Sequence, residues 1–364
     1  MLWMSSPPRG RKPFMRRHWT TRAAVGLAAL LALDWVGCRV LLRRMQAEFA
    51  QWQLAAESQG WRVASAAVMG GGFPLGATLK ISGLSLSGGQ ALVPGGLDWH
   101  AQRVMLSLSL LRPWRLDVAP QGEQTVRVAT GQTVVLNADV LLAQVPLGGG
   151  RPDHIHVEIA GLTAGIGGSG HPQDVRIDRL DMQLQAARGG AARTSLQLDV
   201  QAHGLGLPDK GRWPLGATVS RLETEISLAS PALSGRAPVE QARAWRDWGG
   251  TVEVTRLALK WGPLDMSGSA TLGLDDKLQP AGHGQAEVRG WRATLDALVS
   301  GGTLPRGVAQ TAKAVLSLMA PATGSKGDDA LGAPLSLPVS LKDSTVSLGT
   351  IPLLRVRPLV WGGV

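Results

Sequence analysis

The 364-residue chain has few of the residue types on which common functional sites depend. It has one cysteine, which excludes an intramolecular disulfide bond and any zinc site built on several cysteines. It has no tyrosine and only three phenylalanines, so its aromatic side chains are almost all supplied by 13 tryptophans. Hydrophobic residues nevertheless make up 44% of the chain, which excludes wholesale disorder and is enough for a large core.

Basic charge is scarce outside the N-terminus. The formal net charge is +10, but residues 1–44 hold nine of the 37 Lys and Arg and only one of the 27 Asp and Glu. Residues 45–364 therefore carry 28 cations against 26 acids, a net charge of only +2. Nucleic-acid-binding proteins concentrate basic charge on their folded body, so we expect no nucleic-acid partner.

An apolar run follows the basic N-terminus. Ala23–Leu33 contains only Ala, Leu, Val and Gly, but eleven residues are too few to cross a bilayer, which takes about twenty. Trp19 and Trp35 lie about 24 Å apart along a helix, a spacing typical of two interfacial belts. We expect a single-pass membrane anchor over residues 23–42. By the positive-inside rule, the basic segment 1–22 is cytoplasmic and the body lies on the other side of the membrane.

Three alternatives to an uncleaved anchor stay open. A cleaved signal peptide needs a pair of small residues before the cut, and no such pair directly follows Leu33. A lipid-modified Cys38 is indicated by Val36-Gly37-Cys38, although Asp34 and Trp35 are unusual in lipoprotein signals. A soluble protein is the third alternative and the least favoured.

The body is predicted to be mainly β, in an α+β arrangement. An amphipathic connecting helix over residues 43–60 is followed from Trp61 by alternating apolar and polar residues, typical of antiparallel strands with one buried face. We expect the apolar members of four strands to share the inner side of the sheet: Leu79, Ile81, Leu106, Leu108, Leu180, Met182, Leu184, Leu196 and Leu198. The fold class is thus an N-terminal transmembrane helix and a large antiparallel β-rich body with a few helices.

Three helices are predicted within this body, over Pro238–Trp248, Trp291–Val299 and Pro305–Met319. They lead to a division into a first β-rich unit, 61–232, and a second one with helices, 233–364. The hexapeptide that begins at Phe73 recurs in similar form at Trp213, and either an internal duplication or chance explains the repeat.

The motif search identifies no catalytic, cofactor-binding or metal-binding residue, and we expect no enzyme activity. Gly165–Gly170 matches a dinucleotide-binding glycine pattern but precedes a strand-like segment, so a loop between strands is expected. His154 and His156 lie on one face of a strand, but no third metal ligand is suitably spaced. Asp98 and His100 form a similar pair that also lacks a third ligand. The acidic pairs 275–276 and 328–329 lack the ligand spacing of a calcium loop.

Tryptophan faces stack on sugars, so the many tryptophans raise the alternative of carbohydrate binding. Several of them lie beside apolar strand or helix positions: Trp99, Trp114, Trp213, Trp261 and Trp291. Core packing is therefore the predicted role of these five indoles.

Several segments resemble one known family. They include Gly72-Phe73-Pro74-Leu75, the block from Ala244 to Gly250, and Trp261-Gly262-Pro263-Leu264, which is the most specific. This pattern is similar to an uncharacterised proteobacterial family, domain of unknown function twenty-one twenty-five, over roughly residues 20–361. The resemblance implies an inner-membrane anchor with a β-rich periplasmic body and assigns no activity. Asp34 and Cys38 have no counterpart in it.

A sheet with one continuous apolar face and few helices to cover it predicts binding or transfer of lipids or other apolar molecules at the cell envelope. The alternative is a structural protein that organises envelope partners, and an envelope hydrolase is the third hypothesis. The apolar face distinguishes them, because helices that cover it completely would make it an ordinary core.

The cation asymmetry around Ala23–Leu33 generates a prediction on topology. A reporter enzyme that is active only outside the cytoplasm, fused after Val364, is expected to be active, because the basic residues hold the N-terminus inside. A matched fusion to a chain without residues 1–42 is the control and is expected to be inactive. Protection of the body from protease on the cytoplasmic side would contradict the prediction.

Overall fold

A computed structural model describes residues 17–89, 96–128, 133–147, 153–166, 173–189, 193–208, 211–231, 238–319, 334–348 and 351–359. The helices are α1 (Arg17–Ser58), α2 (Pro238–Asp247), α3 (Trp291–Ser300) and α4 (Arg306–Met319). The strands are β1 (Arg62–Ala64), β2 (Ala67–Gly71), β3 (Gly76–Gly88), β4 (Leu97–Ser109), β5 (Arg112–Val128), β6 (Thr133–Asn137), β7 (Val140–Pro146), β8 (His154–Ile166), β9 (Gln173–Gly189), β10 (Arg193–Gly206), β11 (Thr218–Pro231), β12 (Val252–Trp261), β13 (Leu264–Leu274), β14 (Pro280–Arg289), β15 (Leu335–Lys342), β16 (Thr345–Leu348) and β17 (Ile351–Arg355).

All 17 strands belong to one antiparallel sheet, which confirms the predicted fold class. Each strand from β3 onward pairs with the strand that follows it along the chain, with one exception. The exception is the pair β6 and β7, which share a single position between β5 and β8. The short strands β1 and β2 both pair with β3. The sheet is therefore a long meander.

The register brings apolar side chains of neighbouring strands together along one face of this meander. Directly opposite residues project from the same face, so partners can be followed from strand to strand. One such row crosses twelve strands from β3 to β15: Leu79, Leu106, Val118, Ala143, Val157, Met182, Val200, Thr224, Leu257, Gly268, Ala286 and Leu337. The register also confirms that the nine apolar residues predicted to share a face do so.

Helix α1 covers the first end of this face. Its C-terminal half packs on β3 to β5, where Met45 joins a core with Leu79, Ile81 and Val104, each at most 7% exposed. Leu41, Leu42 and Phe49 border that core, so the apolar stripe predicted for this helix faces the sheet. The helix ends at Ser58, close to the predicted position.

Helices α3 and α4 cover the other end. Trp291 of α3 and Leu316 of α4 pack with Leu335 and Leu337 of β15 and with neighbouring residues of β13 and β14. Helix α2 lies beside β13, and its Trp245 donates the indole N–H to the carbonyl oxygen of Ala229 on β11 at 2.9 Å. The three predicted helices are confirmed, and their ends agree with the prediction to within one residue.

A line of irregular positions crosses the sheet. Gly83 of β3, Gly122 of β5, Gly161 of β8 and Gly204 of β10 all have positive φ and interrupt the ladder. The φ of +63° at Gly204 favours glycine, and a side chain there would also overlap Asp178 on the adjacent strand. Irregular positions of this kind increase the local twist of a sheet.

The predicted boundary between the two β-rich units lies at residues 232–233, among residues outside the described ranges. The sheet continues across it, because β11 and β12 pair from Val219–Trp261 to Leu228–Val252. The two hexapeptide copies enter β3 and β11, which run in opposite directions in the meander.

The core beneath α1 provides a test of the fold. Leu79 is 0% exposed, and Leu79→Ala is expected to lower the free energy of unfolding by about 2–5 kcal/mol because it leaves a cavity. Lys80→Ala is the control, since the adjacent side chain is exposed on the opposite face and its removal is expected to cost under about 0.5 kcal/mol. Chemical denaturation measures both, and equal losses would contradict the assigned register.

Candidate functional site

The candidate site is the middle of the apolar face, on strands β8 to β12. We call it the central apolar face. Its fifteen residues form three transverse rows: Ile155, Leu184, Leu198, Ile226 and Val254; Val157, Met182, Val200, Thr224 and Leu257; and Ile159, Leu180, Ala202, Leu222 and Leu259. Fourteen of the fifteen are aliphatic or Met, and Thr224 is the exception.

The helices leave this region open. The residues packed into the two helix-covered cores belong to β3–β5 and β13–β15, and no residue of the central apolar face is among them. Of the fifteen, Ile159 and Ala202 are buried, and the others keep part of their surface exposed. At about 4.8 Å between strands and 3.3 Å per residue, the face measures roughly 19 by 13 Å.

Small residues lie next to this face on the apolar side. Gly268, Gly282 and Gly284 lie on the apolar side of β13 and β14, opposite Ala286, Leu272 and Ala270. A Cβ added at Gly282 would overlap the carbonyl oxygen of Thr271. The two strands therefore approach each other closely at these glycines.

The opposite face is polar and carries ion pairs. Arg179 and Glu158 lie 3.0 Å apart, and His156 Nε2 lies 2.9 Å from Asp181 Oδ2. On β11, the hydrogen bond from the Arg221 guanidinium lowers the pKa of Glu223, although burial of this carboxyl opposes the shift. The sheet is thus amphipathic across its thickness.

The residues considered for chemistry have structural partners or lie apart. His154 and His156 both lie on the polar face of β8, with His156 bound to Asp181. Asp275 accepts backbone hydrogen bonds from Lys277 and Gln279, and so shapes the β13–β14 turn. Residues 167–170 of the glycine pattern and the pair 328–329 lie outside the described residues. Asp98 and His100 are exposed on β4.

The described residues contain no group of three or more His, Cys, Asp or Glu placed to hold a metal ion. The central apolar face consists instead of aliphatic or Met side chains and one threonine. Such a surface can contact hydrocarbon, and the Thr224 hydroxyl is its one polar side-chain group.

The predicted core role of the tryptophans is confirmed for Trp291, which is 6% exposed. It is wrong for Trp114, which is 61% exposed. Trp114 is the third residue of β5, after Arg112 and Pro113, and so lies at a strand end rather than in the sheet interior. Its indole is exposed for this reason. Trp213 and Trp261 are partly buried and contact each other, with ring centroids 6.4 Å apart.

Among the described residues, one helix is long and apolar enough to be a membrane span, and it lies near the N-terminus, within Ala24–Ser58. Asp34, which is unusual in such a span, has a partner: both carboxylate oxygens accept the backbone N–H of Leu75, at 3.1 and 3.2 Å. Cys38 is buried nearby, with its sulfur 4.0 Å from Asp34 Oδ1. Sequence reasoning missed this contact because the two partners are 41 residues apart.

A family model described as "Uncharacterized protein conserved in bacteria (DUF2125)" matches residues 40–357. The chain belongs to this family. The match begins after Cys38, so the region of similarity is shorter than the expected 20–361 and leaves out the first part of α1. No curated protein and no solved structure matches the chain.

Proposed function

We propose that this member of the DUF2125 family is anchored in the inner membrane by α1 and binds lipid acyl chains on its central apolar face in the periplasm. The observation that carries the proposal is the uncovered stretch of apolar sheet between two helix-covered ends. The role is binding or transfer rather than catalysis, and no nucleic acid is involved.

The dimensions of the central apolar face support an acyl chain as its ligand. One leaflet of the hydrocarbon core is about 15 Å thick, so an ordered acyl chain fits within the face of roughly 19 by 13 Å. An apolar surface of this kind stays dry only when a ligand, a membrane or a partner covers it. The proposed anchor holds the body next to a bilayer, which contains the ligand in high concentration.

The composition of this face also suits an acyl chain. Ligand-binding sites are concave and mostly apolar, with a few polar groups for orientation. Thr224 is the polar side chain in the middle row, and it is bordered by Val200 and Leu257. The polar outer face keeps the opposite side of the sheet in water.

Photocrosslinking tests this proposal directly. The full chain in vesicles of phosphatidylethanolamine and phosphatidylglycerol is irradiated with a phospholipid that carries a diazirine on its acyl chain, and adducts are mapped by mass spectrometry. We expect adducts on β8 to β12 in addition to α1. Adducts confined to α1 would contradict lipid binding on the sheet.

A matched pair of charge substitutions on β10 sharpens the experiment. Leu198→Glu places a carboxylate on the central apolar face and is expected to reduce adducts on the sheet at least about tenfold, since a bare charge is costly beside hydrocarbon. Gln197→Glu changes the exposed neighbour on the polar face and is expected to leave them unchanged. Circular dichroism checks that both variants fold.

Equal adduct yields in Leu198→Glu and Gln197→Glu would contradict the assigned binding face. A protein partner that co-purifies in stoichiometric amount and covers β8 to β12 would favour the alternative of a scaffold for envelope partners. Lipid on the sheet with no such partner supports binding or transfer.

A further inference from the structure

We propose that the ends of the β2–β3 and β4–β5 hairpins enter the membrane beside α1. We call this end of strands β2 to β5 the sheet edge, and it completes the membrane-embedded part of the protein. The inference rests on α1 being the membrane anchor. The hairpin ends contact the lipid bilayer at the boundary between headgroups and acyl chains.

The first argument is length. The apolar run Ala23–Leu33 covers about 16 Å of helix, whereas the hydrocarbon core is about 30 Å thick. A span of about twenty residues from Ala23 reaches Leu42. The stretch from Asp34 to Leu42 therefore lies within the bilayer if α1 spans it.

The second argument is contact. The sheet meets α1 in this same stretch: Leu75 bonds to Asp34, Leu110 packs against Gly37, and Leu42 packs against Gly70. The backbone N–H of Leu110 also donates to the carbonyl oxygen of Leu75, at 3.0 Å, so the two hairpin ends are joined. These hairpin ends must lie at the membrane depth of the helix residues they touch.

The third argument is exposure. The sheet edge presents large apolar side chains to the outside: Phe73 is 51%, Leu75 57%, Leu111 73% and Trp114 61% exposed. A soluble surface rarely gathers so many exposed large apolar side chains at one edge. Trp is moreover the residue enriched at the membrane interface.

The outward side of α1 matches this surface. Within the Asp34–Leu42 stretch, Trp35, Val36 and Val40 are each more than half exposed, while Gly37 and Cys38 face the sheet. Arg39 lies 5.8 Å from the Trp35 ring, and exposed Arg112 follows Leu111. Two cations beside an apolar edge suit a bilayer with anionic headgroups.

The Asp34 carboxylate is explained by the same arrangement. A carboxylate inside a bilayer needs a hydrogen-bond donor, and hydrocarbon supplies none. The N–H of Leu75 supplies one only if the β2–β3 turn is carried into the membrane with the helix.

Site-specific labelling tests the inference. In a Cys38→Ser background, Leu111→Cys and Trp114→Cys are labelled with an environment-sensitive fluorophore, and the full chain is reconstituted in phosphatidylethanolamine and phosphatidylglycerol vesicles. Arg127→Cys is the matched control, because it is exposed at the opposite end of β5. Quenching by acyl-chain nitroxides reports lipid contact, and quenching by iodide reports water contact.

We expect acyl-chain nitroxides to quench the labels at 111 and 114 at least about threefold more than the label at 127, with the reverse order for iodide. Iodide quenching at 111 equal to that at 127 would overturn the inference. Protection from both quenchers at 111 would also overturn it, since a protein rather than lipid would then cover the edge.

Flotation of the vesicles in alkaline carbonate separates the two proposals. A chain that floats but has a water-exposed label at 111 retains its anchor and refutes only the membrane-inserted edge. A chain that does not float refutes the anchor, and the inserted edge with it.

Discussion

The register of one antiparallel meander is the constraint on which the rest of the structure depends. Side chains alternate between faces, so a slip of one residue in any hairpin would move a whole apolar set to the polar side. The pairing keeps one apolar row aligned from Leu79 to Leu337 across twelve strands. A face of that width exceeds what four helices cover, and the middle of the sheet is left open.

The sequence supports predictions of those features that arise locally. The helix over Trp291–Ser300 is recognisable because apolar residues recur at helical spacing and glycines follow at 301 and 302. The strands are recognisable from alternation, and the same alternation correctly predicts that Leu180 and Leu198 share a face with Leu79. Features that depend on which strands pair with each other cannot be predicted from these local sequence patterns. The shared position of β6 and β7, and the extent of helix coverage, follow from contacts between residues far apart in the chain.

The candidate site shows the same division. Four of its fifteen residues, Leu180, Met182, Leu184 and Leu198, are predicted from the sequence as strand positions. An aliphatic strand position in a core and one on an open face have the same sequence pattern. The difference lies in whether a helix packs above them, which α1 does over Leu79 and none of the described helices does over Met182. Trp114 was assigned to the core for the same reason. Its neighbours Arg112 and Pro113 mark a strand end, a signal that in retrospect favours an exposed position.

The two proposals together bring the sheet close to a supply of lipid. An acyl chain of about fifteen CH₂ groups is stabilised by roughly 12 kcal/mol when it leaves water, but it gains little when it moves from a bilayer to an equally apolar surface. The central apolar face therefore need not bind lipid tightly, and an open, partly exposed surface suits exchange better than a closed cavity. The apolar row is not itself a continuous path from the membrane, because α1 covers its first end and Leu79 is 0% exposed. Passage through water is therefore the main barrier, and an edge that lies in the bilayer beside Asp34 shortens that passage because it holds the sheet against the membrane.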